Sequence, residues 1–300
     1  MNTISALIKR NTRLFLRDKA SVFFSFLSTI ILVALYLLFI ASIYTNSMDI
    51  LGAETAGFSL DTGAKDFIVY LQMMAGVLVL NSISLATGVF STIAKDFENR
   101  RIDSFLLTPI KPYKLILSYF ITGLLVSLSL NIITWLISAA VIGLATGFWI
   151  SATTFFISLV VLLISSLISC SLMLLVTSLV KSSVAIGVIN GFLGTFIGFL
   201  CGIYMPYSNL GESTKQIGSL LPFSHITIWL KRVVLGDAFS QTSIPDEYTD
   251  ILYREFFSAE SIGFLRFDAP LWGMVMASAA VGVVCLMIAY RLLDSRLKSK

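Results

Sequence analysis

The chain has 300 residues, 57% of them hydrophobic and 13% charged, with three cysteines, one histidine and a formal net charge of +4. An ordinary globular domain carries about twice that share of charge, so this composition cannot cover a water-facing surface, and it implies the bilayer as solvent. The length allows several spans but no large additional soluble domain, and nucleic acid is not among the expected partners.

The N-terminal stretch MNTISALIKRNTRLFLRDK puts Ile4, Leu7, Ile8 and Phe15 on one helical face and Lys9, Arg10, Arg13 and Arg17 on the other. That pattern predicts an amphipathic helix over 1–19, lying in the membrane interface. The plainer reading is a basic flank that orients the first span. The apolar run from Val22 to Ile43 is longer than a signal-peptide core and lacks a small-residue cleavage site, so it reads as a retained first span.

A helix needs about 20 predominantly apolar residues to cross the hydrocarbon core. Six segments qualify, 21–43, 67–93, 115–143, 152–180, 184–206 and 269–291. The turn ATGFWIS separates the third from the fourth, and KSS after Val180 separates the fourth from the fifth. The expected fold is an all-α polytopic membrane protein of six transmembrane helices, one domain over 1–300. With the N-terminus in the cytoplasm, 15 of the 21 basic residues and only 5 of the 17 acids fall on inner segments. The positive-inside rule therefore places both termini in the cytoplasm.

Cys170, Cys201 and Cys285 all lie in apolar runs and match no disulfide or zinc spacing, so they read as small core residues. The segment SLLPFSHITIWLKRVVLG, 219–236, is apolar but short and interrupted by Pro222. As a seventh span it would carry Arg291, Arg296, Lys298 and Lys300 outside. It is expected instead as a re-entrant or interfacial helix on the outer side, with Lys231 and Arg232 at headgroup level, inside an external segment over 207–268. A short helix is expected near 246–258 in the acidic part of that segment. His225 has no Cys or His at ligand spacing, so no metal site is expected.

Between spans two and three lies AKDFENRRIDSFLLTPIKPYK, residues 94–114. Ile102, Phe105, Leu106 and Pro109 recur at i, i+3, i+4 and i+7, the apolar stripe of an amphipathic helix near 97–107. Thr108-Pro109 and Pro112 then stop it. About ten helical residues span about 15 Å, too short to cross a membrane. The plain reading is a charged inner loop that fixes topology. The sharper reading is a docking helix whose stripe enters a groove on a cytoplasmic partner, with Glu98, Arg100 and Arg101 at the rim.

FENRRIDSFLLTPIKPYKLIL resembles the E-x-G-T-x-E-x-L-x-x-T-P loop of ABC-2 type permeases, the membrane subunits of ATP-binding-cassette exporters. Glu98, Phe105, Leu106, Leu107, Thr108 and Pro109 carry the match. The family's Gly-Thr is read against Arg101-Ile102 and its second Glu against Asp103. A second match follows span five, where Gly202, Pro206, Leu210, Pro222, Arg232 and Gly236 resemble the family's external segment, with Leu210-Gly211 in place of its first Leu-Pro. The resemblance implies a pair of permeases, identical or homologous, bound to two ATP-binding-cassette ATPase subunits. ATP and Mg would bind in those subunits, with no cofactor in this chain, whose site would be the cytoplasmic membrane of a prokaryote. The residues of the ATPase contact would be Asp96, Phe97, Glu98, Arg100, Arg101, Ile102, Asp103, Phe105, Leu106, Thr108 and Pro109.

Span five carries Gly187, Gly191, Gly194, Gly198 and Gly202 on one face, an arrangement that lets two helix backbones approach closely. Whether the partner is another span or a second permease is open from spacing, and the resemblance favours the dimer interface. Gln72, Asn81, Asn131 and Asn190 are polar at membrane depth, where a side chain either bonds between helices or lines a substrate path. No acid or base lies near the centre of a span, which counts against a proton-coupled carrier. No P-loop spacing exists, so no ATP is bound by one here, and no catalytic residue is identified. The expected function is export of an amphipathic substrate, a drug or peptide antibiotic ahead of a lipid or lipid-linked glycan. An ATP-independent channel or carrier, and an intramembrane enzyme, are the weaker readings.

Overall fold

The computed structural model describes residues 3–36, 38, 41–51, 60–107, 110–180, 182–204, 210–242, 244, 246–253, 257, 259 and 270–298. The helices are α1 (Thr3–Arg17), α2 (Lys19–Leu35), α3 (Ala41–Leu51), α4 (Thr62–Glu98), α5 (Arg101–Leu106), α6 (Pro112–Thr146), α7 (Ala152–Leu179), α8 (Ser183–Leu200), α9 (Glu212–Ser219), α10 (Pro222–Thr242), α11 (Asp246–Ile251) and α12 (Leu271–Lys298). Among the described residues there is no strand. Five helices, α4, α6, α7, α8 and α12, are long and apolar enough to cross a membrane. The chain is thus a multi-pass, all-helical membrane protein. The described part of the expected first span over 21–43 is the apolar α2, with helical Tyr36 and Leu38 after it and then the start of α3; residues 37, 39 and 40 lie outside the described residues.

Local chemistry sets the boundaries. Pro112 opens α6 at the position where its missing N–H costs nothing, and Gly147 closes α6 with a φ of 80°. Ser151 and Ser182 cap α7 and α8 by accepting from Thr154 N and Ala185 N, which satisfies donors the helices cannot use. The turns anticipated at ATGFWIS and KSS are these caps; Lys181 itself lies outside the described residues.

α4 is the axis of the bundle, packed against α2, α6, α7, α8 and α10. With 37 residues it runs about 55 Å, well past the hydrocarbon thickness of about 30 Å. Its last turns, packed against α1 and α6, carry Lys95, Asp96 and Glu98. One apolar core fills the half of the bundle containing α3 and α10, and a second fills the half containing α5 and the end of α12.

The segment expected as a re-entrant or interfacial helix forms α10, which spans 21 residues and packs against α4, α7 and α12. Residues 223–228 are buried on every side, whereas farther along Lys231, Val234, Leu235, Ala238, Phe239 and Thr242 form a buried face and Arg232, Val233, Gly236, Asp237, Ser240 and Gln241 a more open one. Lys231, expected at headgroup level, is 1% exposed within the protein, its Nζ donating to Gly202 O at 2.7 Å and Phe257 O at 3.0 Å. Arg232 stacks over the Tyr253 ring. His225 is buried in the same helix, its Nε2 2.8 Å from Ser219 O. Of the helix expected near 246–258, α11 covers Asp246–Ile251; residues 254–256 and 258 lie outside the described residues.

Candidate functional site

The charged stretch after α4 forms two helices with a sharp break between them, where one helix near 97–107 was predicted. α4 continues through Phe97 and Glu98, and its C-cap is Asn99. Arg100 then adopts φ 53° and ψ 18°, the left-handed region, and α5 starts at the next residue. α5 is six residues long, about 9 Å. Counting E-x-G-T from Glu98 puts the glycine of that pattern on Arg100 and the threonine on Arg101, one residue earlier than the sequence comparison placed them. The backbone agrees, since the left-handed conformation falls on the glycine position.

The predicted contact residues do not share one surface. Asp96 is 1% exposed and Ile102 0%, so both are interior to this chain and cannot touch a partner here. Phe97 and Phe105 are half-buried against the second core. Glu98, Arg100 and Arg101 are exposed, Asp103 is half-buried and Leu106 closes α5. Thr108 and Pro109 lie outside the described residues. Leu107 is 91% exposed, an apolar side chain standing free at the end of α5. It carries part of the family match but was not among the expected contact residues, although its place in FLLTP was a signal.

Asp96 is the anchor of this end. Arg10 of α1 donates to both its oxygens, Nη1 to Oδ2 at 2.6 Å and Nη2 to Oδ1 at 3.1 Å. Tyr119 of α6 donates its hydroxyl to Oδ2 at 3.2 Å, and Arg101 of α5 lies 3.6 Å from Oδ1. A paired fork of this kind satisfies a buried carboxylate with geometry as well as charge. The same Arg10 guanidinium sits 5.1 Å from the centre of the Phe105 ring. Thus α1 presents Leu7, Asn11 and Phe15 inward, and Arg10, predicted on its polar outer face, turns to the protein.

A second tie runs through Asp18, between α1 and α2. Its carboxylate accepts from Ser21 N at 3.0 Å and Ser21 Oγ at 2.7 Å, and from Lys95 Nζ at 3.0 Å. The two Ser21 hydrogen bonds, backed by Lys95, hold Asp18 down at about 2. A third tie is Glu98, which accepts from Ser183 N and Ser183 Oγ, both at 2.8 Å. That caps the start of α8 with a charged acceptor from the end of α4. α5 is therefore linked through α4 to α1, α2 and α8.

Above these ties a cleft opens along α4, walled by α2 and α8. Its lower part, about 350 Å³, begins at Asp18, Lys95 and Ser183. Its upper part, about 280 Å³, reaches Thr29, Thr195 and Tyr204. Ser84 and Asn190 line both. The walls alternate hydroxyls with apolar groups and carry no charge beyond the Asp18–Lys95 pair at the mouth.

The glycine stripe divides along this cleft. At Gly187, Gly191 and Gly194 an added Cβ would meet nothing within 4 Å, so none of the described helices packs there. At Gly198 it would run into the Tyr204 ring. Gly202 ends the helix with φ 63°. Only the first three offer a free small-residue face, flanked by Val188 and Phe192, both more than half exposed.

The polar residues at depth also part company. Asn81 donates to Asn131 Oδ1 at 3.1 Å and Thr134 Oγ1 at 3.3 Å, and accepts from Thr29 Oγ1 at 2.9 Å. Asn131 donates to Leu78 O at 3.1 Å and Ser82 Oγ at 2.7 Å. This network joins α2, α4 and α6 and is wholly occupied between helices. Gln72 is buried and accepts from Tyr36 Oη at 2.9 Å. Asn190 alone of the four lines the cleft, and its Oδ1 is buried without a hydrogen-bond partner.

A protein-family model described as ABC-2 family transporter protein matches residues 42–291. No curated protein matches the chain.

Proposed function

The chain belongs to the ABC-2 transporter family, and from that membership we propose that it is the membrane-spanning subunit of an ATP-driven exporter. It is a permease of that transporter type and crosses the membrane several times. Two separate ATP-binding-cassette ATPase subunits hold ATP and Mg, while this chain has no catalytic site or cofactor of its own. They grip α5 from the cytoplasm. The first of six spans runs from α2, and both termini lie on the cytoplasmic side of a prokaryotic cytoplasmic membrane. A second permease, identical or homologous, packs on the free face of α2 and α8.

The observation that carries this reading is the build of α5. A six-residue helix is set off by the left-handed Arg100, wired by Asp96 to Arg10, and ends in the exposed Leu107. A loop that served only to fix topology would need none of this. When the ATPases close, they move α5, and α4 carries the motion to α8 through Glu98 and to α1 and α2 through Arg10 and Lys95. The cleft between α2 and α8 then changes access from one side to the other. Its mixture of hydroxyls and apolar groups suits an amphipathic substrate, with a drug or peptide antibiotic ahead of a lipid or lipid-linked glycan.

The test is capture of the tagged chain from native membranes in mild detergent, followed by identification of co-purifying proteins. A Walker-motif ATPase is expected, and it should be lost when Leu107→Asp is introduced. Recovery of no such ATPase from the native membrane would sink the proposal.

A further inference from the structure

A groove of about 500 Å³ lies between α6 and α12, away from the α2–α8 cleft and at the same end as α5. Leu117, Phe120, Leu286 and Met287 line it, and Tyr113, Tyr290 and Arg291 stand at its end. On α6 the lining runs from Tyr113 to Phe120, two turns or about 10 Å along the helix. Leu117 is 41% exposed and Met287 54%, so no part of the described chain covers the groove.

Position and charge together identify what does. Both helices are apolar enough to be membrane spans, so the groove looks into hydrocarbon. Its polar end comes at the first turn of α6 and the last turns of α12, where the spans leave the bilayer. Tyrosine pairs at that depth belong to the headgroup layer. Arg291 makes no hydrogen bond or ion pair with the described residues. The nearby acid one turn on, Asp294, has an interaction of its own. An unpaired guanidinium at the headgroup end of an apolar groove calls for a phosphate attached to a hydrocarbon chain.

We propose that the α6–α12 groove is a binding site for an anionic glycerophospholipid of the surrounding membrane, with an acyl chain along Leu117, Phe120 and Met287 and the phosphate on Arg291, between Tyr113 and Tyr290. The site is separate from the α5 contact and from the cleft, and does not depend on what is exported. A tightly held lipid would brace α6 against α12.

Native mass spectrometry of the full detergent-purified chain tests this, with phosphatidylglycerol and phosphatidylcholine of identical acyl chains added in parallel and inorganic phosphate as a third arm. Retained phosphatidylglycerol should exceed phosphatidylcholine by about fivefold, the contribution of one basic side chain at an anionic surface. Arg291→Gln should erase that preference, and Arg291→Lys should keep most of it while showing that the fold tolerates change here. Leu117→Trp, which fills the groove, should lower retention of phosphatidylglycerol. Equal retention of the two lipids, a preference that survives Arg291→Gln, or a phosphate adduct as strong as the lipid adduct would overturn the proposal.

Discussion

Arg10 and Asp96, 86 residues apart, form a two-pronged ion pair at 2.6 and 3.1 Å in which the acid is almost wholly buried. Nothing local in the sequence brings them together; the pair exists because α1 folds back across the ends of α4 and α6. It turns a helix that could merely float at the membrane surface into part of the bundle. Removing Arg10 leaves a buried carboxylate with Tyr119 and the more distant Arg101. Arg10→Met should therefore cost about 3 kcal/mol, the lower end for breaking a buried pair. Thermal unfolding in detergent measures it. In a double-mutant cycle Arg10→Met with Asp96→Asn should lose less than the sum of the single changes. Additive losses would mean that the two side chains do not interact.

The Asp18 tie has a pH signature. Asp18 is held well below the usual carboxylate range by Ser21 and Lys95, so its folded form binds a proton less readily than its unfolded form. Stability from this source is complete above the ordinary aspartate value near 4 and drains away as pH falls toward about 2. Melting temperature against pH should show a fall over that window, and Asp18→Asn should flatten that part of it. An identical fall in the variant would assign the acid sensitivity to other carboxylates.

Much of this architecture was legible in the sequence because it rests on short-range chemistry. Five of the expected spans, the break at Pro112 and the turns at ATGFWIS and KSS are all local signals, and the structure resolves those turns into the Gly147 stop and the Ser151 and Ser182 caps. What was not legible is tertiary. A segment such as 219–236 looks the same in sequence whether its apolar residues meet lipid or other helices, and α10 packs one face on α4, α7 and α12. Nothing local in the sequence shows that Lys231 finds the carbonyls of Gly202 and Phe257. The length of α5 was misjudged because an arginine gives no sign of left-handed backbone. The role of Asp96 was inverted, from an outward contact to an inward anchor, because Arg10 is so remote in the chain.

Arg100 is the one described non-glycine residue with positive φ. That conformation costs an ordinary side chain about 1 kcal/mol or more, and glycine gives back part of it as chain entropy. Arg100→Gly should thus raise stability by about 0.5 kcal/mol, whereas Arg100→Val should lower it by about 1 kcal/mol or more. Chemical denaturation of the two variants decides. A destabilised Arg100→Gly would show that the guanidinium itself contributes more than the backbone strain costs.

Glu98 and Phe105 test the path from α5. Glu98→Ala uncaps α8, a loss of about 1 kcal/mol that the bundle can absorb. Phe105→Ala removes the ring beneath Arg10. Both variants should insert and fold, and both should lower transport and the coupling of ATP hydrolysis to it. Transport at full rate in both would show that motion does not pass through these contacts.

The glycines separate packing within the chain from packing between chains. An added Cβ at Gly76 would come 2.6 Å from Ile203 Cγ2, in the first core, with Ile203 fixed just after the left-handed Gly202. Gly76→Ala should cost about 1–3 kcal/mol through overpacking. At Gly191 an added Cβ meets open space, the cleft beside α8. Gly191→Leu should leave the unfolding of the single chain unchanged or slightly improved, because leucine favours helix over glycine by roughly 0.8 kcal/mol. If a second permease approaches α8 along Gly187, Gly191 and Gly194, the same variant should lose the paired species in native electrophoresis and lose transport with it. Both measurements are needed. A destabilised Gly191→Leu would place the stripe inside the chain's own packing, and a variant that pairs and transports normally would mean that no helix closes on it.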